Sequence, residues 1–279
     1  DIDEYMSRGN ELYETLNEWL FNSDQWEKII NIVRNKNKKL MILCNDTQAI
    51  KFASSFSPEY VELHALCMNV PALQNQILEM LNQNTKIVIG VGGSTLEEID
   101  HALKKFSNRE IVLMTGFQNY PTKYEDVNLK KIRKIREMYR EKEIGYADHT
   151  AWNENNNELI TLAVAANGMD YIEKHVTNSY GIERCDSSAA ISIEMAKELK
   201  KKLKVLEQIP GDGSMKLNQG EMKYASIKMV GFASKDLKKG QILNEHDINF
   251  TRSSKKSDID QITLIKNFGR EIKKDIKKD

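Results

Sequence analysis

The feature that most constrains this chain is an alternation repeated six times in succession, a short continuously apolar run followed by a helical stretch. The runs are KLMILCN (39–45), YVELHAL (60–66), KIVIGVGG (86–93), REIVLMTGF (109–117), EIGYADHT (143–150) and MDYIEKHVT (169–177). Helical patterns follow near 47–56, 72–82, 95–106, 127–140, 158–166 and 193–207. Strands that lack polar alternation are buried on both faces. Their alternation with helices every 25–35 residues or so builds right-handed βαβ units around a parallel sheet. An orphan helix over 24–34 precedes the first unit, and residues 1–22 show no clean periodicity. A (β/α)8 barrel needs eight strands to close. With six visible, the expectation is an α/β TIM barrel whose first two strands and one helix lie upstream of Asp1. A doubly wound open sheet is the alternative. It is disfavoured because no glycine-rich phosphate loop follows a first strand, and Gly90-Val91-Gly92-Gly93-Ser94 does not fit G-x-G-x-x-G.

The text changes character after residue 207. Ile209-Pro210-Gly211-Asp212-Gly213-Ser214 is rich in breakers. The expected division is a barrel over 1–208, a linker over 209–221 and a small, mostly β domain over 222–279. Lys+Arg and Asp+Glu both number 41, so no bulk charge argues for nucleic acid or an anionic membrane. The lysine runs of the small domain lack the interleaved aromatics of a nucleic-acid platform. No apolar run reaches the roughly 20 residues of a membrane helix and no secretory signal is visible, so a soluble, cytoplasmic protein is expected. Cys44, Cys67 and Cys185 are odd in number and widely spaced, as for reduced thiols, with the first two expected in core strands.

Chemistry concentrates at the ends of the last two apolar runs. Gly145-Tyr146-Ala147-Asp148-His149-Thr150 and Glu173-Lys174-His175-Val176-Thr177 each carry a histidine where a strand gives way to a loop. Alternation puts Gly145, Ala147 and His149 on one face of their strand, and likewise Tyr171, Glu173 and His175 on one face of theirs. Parallel neighbours send both imidazoles out of the same end of the sheet, an arrangement suited to a borderline divalent cation. The plainer alternative is two hydrogen-bonded loop histidines. Asp148 either orients a neighbouring group or caps the next loop. Glu173 is a candidate for proton transfer beside the metal, or a buried carboxylate paired with a lysine. His64 has the inward parity to add a third imidazole, or simply fills volume.

These stretches, in this order, resemble the sialic acid synthases and related nonulosonic acid synthases. GYADHT resembles that family's GYSDHT, and IEKHVT its IEKHFT. Asn119-Tyr120-Pro121-Thr122-Lys123-Tyr124-Glu125-Asp126-Val127 resembles its YPTPYEDV stretch. Lys235-Asp236-Leu237-Lys238-Lys239-Gly240-Gln241-Ile242-Leu243 resembles the opening of its antifreeze-like domain. The resemblance implies a (β/α)8 barrel followed by an antifreeze-like domain. It implies condensation of phosphoenolpyruvate with the open-chain aldehyde of an N-acylated hexosamine, with a divalent metal, Mn or Mg, on His149 and His175. Glu173 and Asp148 become the catalytic candidates. Tyr120, Asp186, Arg252, Gln118 and Gly90 become substrate-binding candidates, with Arg252 reaching in from the other subunit of a domain-swapped homodimer.

The departures from the family pattern lie in the donor site. The family's KIGSGE stands here as Val61-Glu62-Leu63-His64-Ala65-Leu66, its STPF as Cys44-Asn45-Asp46-Thr47, its STGM as Gly90-Val91-Gly92-Gly93, and the serine of GYSDHT is Ala147. The missing side chains are those that grip the phosphate and carboxylate of phosphoenolpyruvate in the family. Charge-assisted hydrogen bonds of that kind are worth about 1.5–3 kcal/mol each. Three functions fit this mixture: a synthase with a rebuilt donor site, using for instance the Gly90–Ser94 backbone; a metal-dependent aldolase or epimerase on a related sugar; and a catalytically silent paralogue that binds sugar or pairs with an active subunit.

Overall fold

The computed structural model describes residues 2–116, 119–184, 186–255, 257 and 259–278. It falls into two compact units, Asp1–Ile209 and Pro210–Asp279.

The first unit opens with α1 (Ile2–Tyr5), α2 (Tyr13–Glu18) and α3 (Ser23–Asn35). It continues through β1 (Met41–Leu43), α4 (Thr47–Ser54), β2 (Tyr60–Leu63), α5 (Pro71–Met80), β3 (Lys86–Gly90), α6 (Leu96–Lys105) and β4 (Ile111–Gly116). Then come α7 (Tyr124–Val127), α8 (Leu129–Met138), β5 (Glu143–Asp148), α9 (Asn157–Ala165), β6 (Tyr171–Lys174), β7 (Val176–Thr177), β8 (Ile191–Ser192) and α10 (Ile193–Leu206). Side-chain caps start the helices where loops release them: Asp46 accepts from the Ala49 amide at α4, Thr95 and Glu98 form a capping box at α6, and Ser192 accepts from Met195 at α10. The Thr95 cap accounts for the polar residues that follow Gly93.

Six strands form one sheet in the order β1-β2-β3-β4-β5-β6, each parallel to its neighbour. Val61, Leu63, Ile87, Ile89, Leu113 and Ile144 face outward and pack on Ile50, Ile77, Ile99, Phe106 and Ile135 of the helices. The alternate residues Val88, Val112, Met114 and Ala147 line the inner face together with Tyr60 and Tyr171. The sheet curls strongly. A flat sheet would hold β2 and β6 about 19 Å apart, yet the Tyr60 and Tyr171 hydroxyls are 3.3 Å apart and their rings 5.8 Å. This is the curled parallel sheet of a (β/α) barrel. At its floor Lys86 is neutralised by Glu143 (2.6 Å) and Glu110 (3.3 Å).

Several boundaries differ from expectation. The helix expected over 127–140 is divided by Asn128, whose left-handed conformation (φ 47°) ends α7 and caps α8. The run 169–177 breaks after Lys174, and β7 leaves the main sheet to pair with β8. Cys44 and Cys67 are buried as expected but stand just beyond β1 and β2, and Cys185 lies outside the described residues. Residues before α3 carry the two short helices, and Glu4 accepts from Thr47 at its amide (3.0 Å) and hydroxyl (2.9 Å).

The second unit holds α11 (Gln219–Ala225), β9 (Val230–Ala233), β10 (Ile248–Thr251) and α12 (Gln261–Ile265). β9 and β10 are antiparallel. Ala233, Leu237, Leu243, Leu264 and Ile272 make its core. The stretch expected as linker ends in helix, because Asn218 and Glu221 form a capping box that starts α11. Among the described residues, no helix is long and apolar enough to cross a membrane.

Candidate metal centre

The site is assembled at the carboxyl ends of β5 and β6, where a parallel barrel presents its loops. His149 follows β5, Glu173 lies on β6, and His175 stands between β6 and β7. One ligand atom from each lies within 4.8 Å of the others, making these the one group of three or more His, Cys, Asp or Glu side chains among the described residues so placed that they could hold a metal ion. The two imidazoles are 4.9 Å apart, centroid to centroid, at 66°. Tyr120 lies against both, 5.5 Å from His149 and 6.2 Å from His175. Its loop is tied to β5 by the Thr122 amide, which donates to the His149 carbonyl at 2.8 Å.

The electrostatics suit a cation. Burial drives the His149 imidazole down to about 4, assisted by the neighbouring His175, so the ring is neutral and a lone pair is available. Its Nδ1 lies 3.2 Å from the Ala147 carbonyl, which fixes the orientation of the ring. Burial raises the Glu173 carboxyl, whose Oε2 is buried with no hydrogen-bond partner among the described residues. Two imidazoles, that of His149 held neutral, and a buried carboxylate oxygen form a donor set that fits a divalent ion.

Asp148 sits on the opposite face of β5, fully buried, and takes no place in that group. It accepts from the Thr150 amide (2.9 Å) and hydroxyl (2.7 Å) and from the Thr161 hydroxyl, and it pairs with Lys174 at 2.8 Å. Burial works to raise its carboxyl, but Lys174 and the two threonines outweigh it and hold the group below the usual carboxylate range. The contacts are those of a residue that caps the loop behind His149 and ties β5 to β6 and α9. Lys174 therefore pairs with Asp148, and Glu173 is left without the lysine that one reading allowed it.

Asp186 is exposed, in a left-handed conformation (φ 55°), and near enough for its charge to act on His149. Gly90 ends β3, and a Cβ there would meet the Ala65 amide nitrogen at 2.9 Å, so its glycine serves a close backbone approach. Arg252 lies just past β10 in the second unit and is exposed. Gln118 lies outside the described residues. His64 does not join the metal-holding group, against the three-imidazole idea.

One lumen residue escaped the sequence reading. Glu62 of β2 has the inward parity of Tyr60 and is only 7% exposed. Burial, then the charge of Glu173, push its carboxyl up to about 8. The signal was an acidic residue inside the apolar run YVELHAL.

Fold and cluster together define a (β/α)-barrel protein with a metal-capable histidine pair at the carboxyl ends of its strands. Residues 2–215 match the sequence model of the NeuB family, and the chain belongs to that family. An uncharacterized protein of Methanocaldococcus jannaschii is 30% identical over 76% of this chain and 64% of its own length. Pseudaminic acid synthase of Campylobacter jejuni is 27% identical over 74% of this chain and 58% of its own length. The chain thus spans about three fifths of the length of these relatives. An N-acetylneuraminic acid synthetase from Leptospira borgpetersenii, solved with citrate, shares the fold at a TM-score of 0.72 and 19% identity, over 80% of this chain and 76% of its own.

Proposed function

We propose that this protein condenses phosphoenolpyruvate with an N-acylated hexosamine to give a nonulosonic acid and phosphate, at a metal centre on His149, Glu173 and His175. The observation that carries the reading is the convergence of those three ligand atoms within 4.8 Å. Family membership and the synthase names among its relatives support it.

Mn or Mg bound there would supply a Lewis acid for the aldehyde oxygen of the open-chain sugar. The chain's own residues do the rest. Burial keeps the His149 imidazole neutral, and the Ala147 carbonyl fixes its ring. Tyr120 forms a wall against both imidazoles, where it would orient the sugar. Asp186 would accept from sugar hydroxyls, and Gln118 and Gly90 are further substrate contacts in this proposal. Glu173 would move the proton that accompanies bond formation. In the reaction the donor's C3 bonds to the aldehyde carbon, water adds at C2, and phosphate leaves. Asp148 acts by position alone. In the same proposal, the second unit is the antifreeze-like domain, and its Arg252 serves the sugar of the partner in a domain-swapped homodimer, a guanidinium being suited to acyl and hydroxyl oxygens.

Phosphate release from phosphoenolpyruvate, with Mn and a panel of N-acyl hexosamines, tests the proposal. Release that requires both the sugar and His149 is the expected result. No release from folded, Mn-loaded protein would refute it and leave the silent paralogue or the aldolase or epimerase chemistry.

A further inference from the structure

Gly116, the last residue of β4, stands in register with Ala147 of β5, which is in turn in register with Glu173 of β6. Ala147 is thus the middle of a row that ends on a carboxylate of the metal centre, and it lies two residues before His149. The Gly116 backbone has a positive φ of 94°. A Cβ there would lie 2.2 Å from the Ala147 carbonyl oxygen and 3.0 Å from its carbonyl carbon and amide nitrogen. That same oxygen is 3.2 Å from His149 Nδ1. A carbonyl only accepts, so this hydrogen bond places a proton on Nδ1. Further along, the Thr122 amide donates to the His149 carbonyl at 2.8 Å, and Thr122 bridges to Thr150. The chain leaving β4 therefore touches β5 on both sides of His149, and Tyr120, between the two contacts, lies against both imidazoles.

A methyl group at position 116 would sit about 1 Å inside ordinary contact with the Ala147 oxygen. Ala147 is only 6% exposed, so its carbonyl has no solvent to swing into. Either β5 shifts toward β6, or the end of β4 lifts away. The first presses Ala147 toward Glu173, and the second draws the Tyr120–Thr122 loop off His149. Both disturb the carbonyl that orients the imidazole. We infer that Gly116 is a positioning residue of the metal centre: its missing side chain lets the end of β4 seat on the Ala147 carbonyl, and that carbonyl sets the His149 ring. Loss of a hydrogen bond that orients a ligating histidine costs about 10- to 100-fold in metal affinity. The inference rests on the imidazole metal centre of the proposed function and names a residue that aligns it.

Calorimetric titration of Mn into metal-stripped protein tests it, with Gly168→Ala as the control. Gly168 also has a positive φ, 84°, but it precedes β6, at the opposite end of that strand from His175, and a Cβ there would meet the Arg136 side chain at 3.2 Å. Both variants are expected to melt below wild type, since alanine disfavours a positive φ. Gly116→Ala is expected to bind Mn about 10- to 100-fold more weakly, and Gly168→Ala as tightly as wild type. Proton–nitrogen NMR of histidine-labelled, metal-free wild type is expected to show His149 with its proton on Nδ1, and Gly116→Ala to lose that preference. Wild-type Mn affinity in Gly116→Ala, or an equal loss in Gly168→Ala, overturns the positioning role and leaves the proposed function standing. No Mn binding by wild type overturns both. Because the NMR measurement stands on wild type alone, a His149 protonated only on Nε2 refutes the inference even if Gly116→Ala does not fold.

Discussion

Replacing Asp148 with Asn separates a residue that positions the site from one that takes part in the chemistry. Asp148 is fully buried and Lys174 has only 7% of its side chain exposed, at 2.8 Å. Removing the carboxylate charge strands the ammonium in the gap between sheet and α9, a loss of about 3–5 kcal/mol for a buried pair broken from one side. At about 2–4 °C per kcal/mol for a unit of this size, the melting temperature should fall by roughly 6–20 °C. Because Asp148 also holds Thr150, next to His149, Mn affinity should drop by about 10- to 100-fold. Circular dichroism melts and calorimetric Mn titration read both effects. Removing both charges, as in Asp148→Asn with Lys174→Met, should recover most of the stability, since neither ion is then left alone. An unchanged melting temperature and Mn affinity with turnover abolished would refute the positioning role and put Asp148 in the reaction.

Three further outcomes are expected. His175→Ala should keep the fold, since His175 lies at a strand end outside the apolar core, and should lose tight Mn binding in titration calorimetry. In metal-free protein the Glu62 carboxyl titrates near 8 when folded against 4.5 ordinarily, so the folded state holds an extra proton between those values. Its contribution is fully present below about pH 4.5 and lost as pH rises through about 8, a decline of up to about 5 kcal/mol that denaturant melts should detect and Glu62→Gln should flatten. Gly90→Ala should cost about 1–3 kcal/mol in the same melts, because its Cβ would press on the Ala65 backbone at 2.9 Å; an unchanged midpoint would show that this approach relaxes freely.

Much of the architecture was legible because a buried parallel sheet writes itself as apolar runs at regular spacing, and the inward parity of Ala147, His149, Tyr171 and Glu173 follows from a period of two. The break after Lys174 and the division of the helix at Asn128 were not legible, since each depends on one backbone conformation or a pairing elsewhere. Asp148 shows a subtler limit: its place beside His149 suggested chemistry, while alternation sends it to the opposite face, against α9.

The class of fold, the two histidine motifs and the face on which each strand residue lies could be read from the residues alone, because these depend on local spacing. That Lys174 serves Asp148 and not its neighbour is a matter of three-dimensional packing. Tyr60 and Tyr171, one layer below the glutamates, are 111 residues apart in the chain and meet only because three intervening strands curl the sheet. Such a contact is set by the accumulated twist and register of the whole sheet, a property that no short stretch of residues carries.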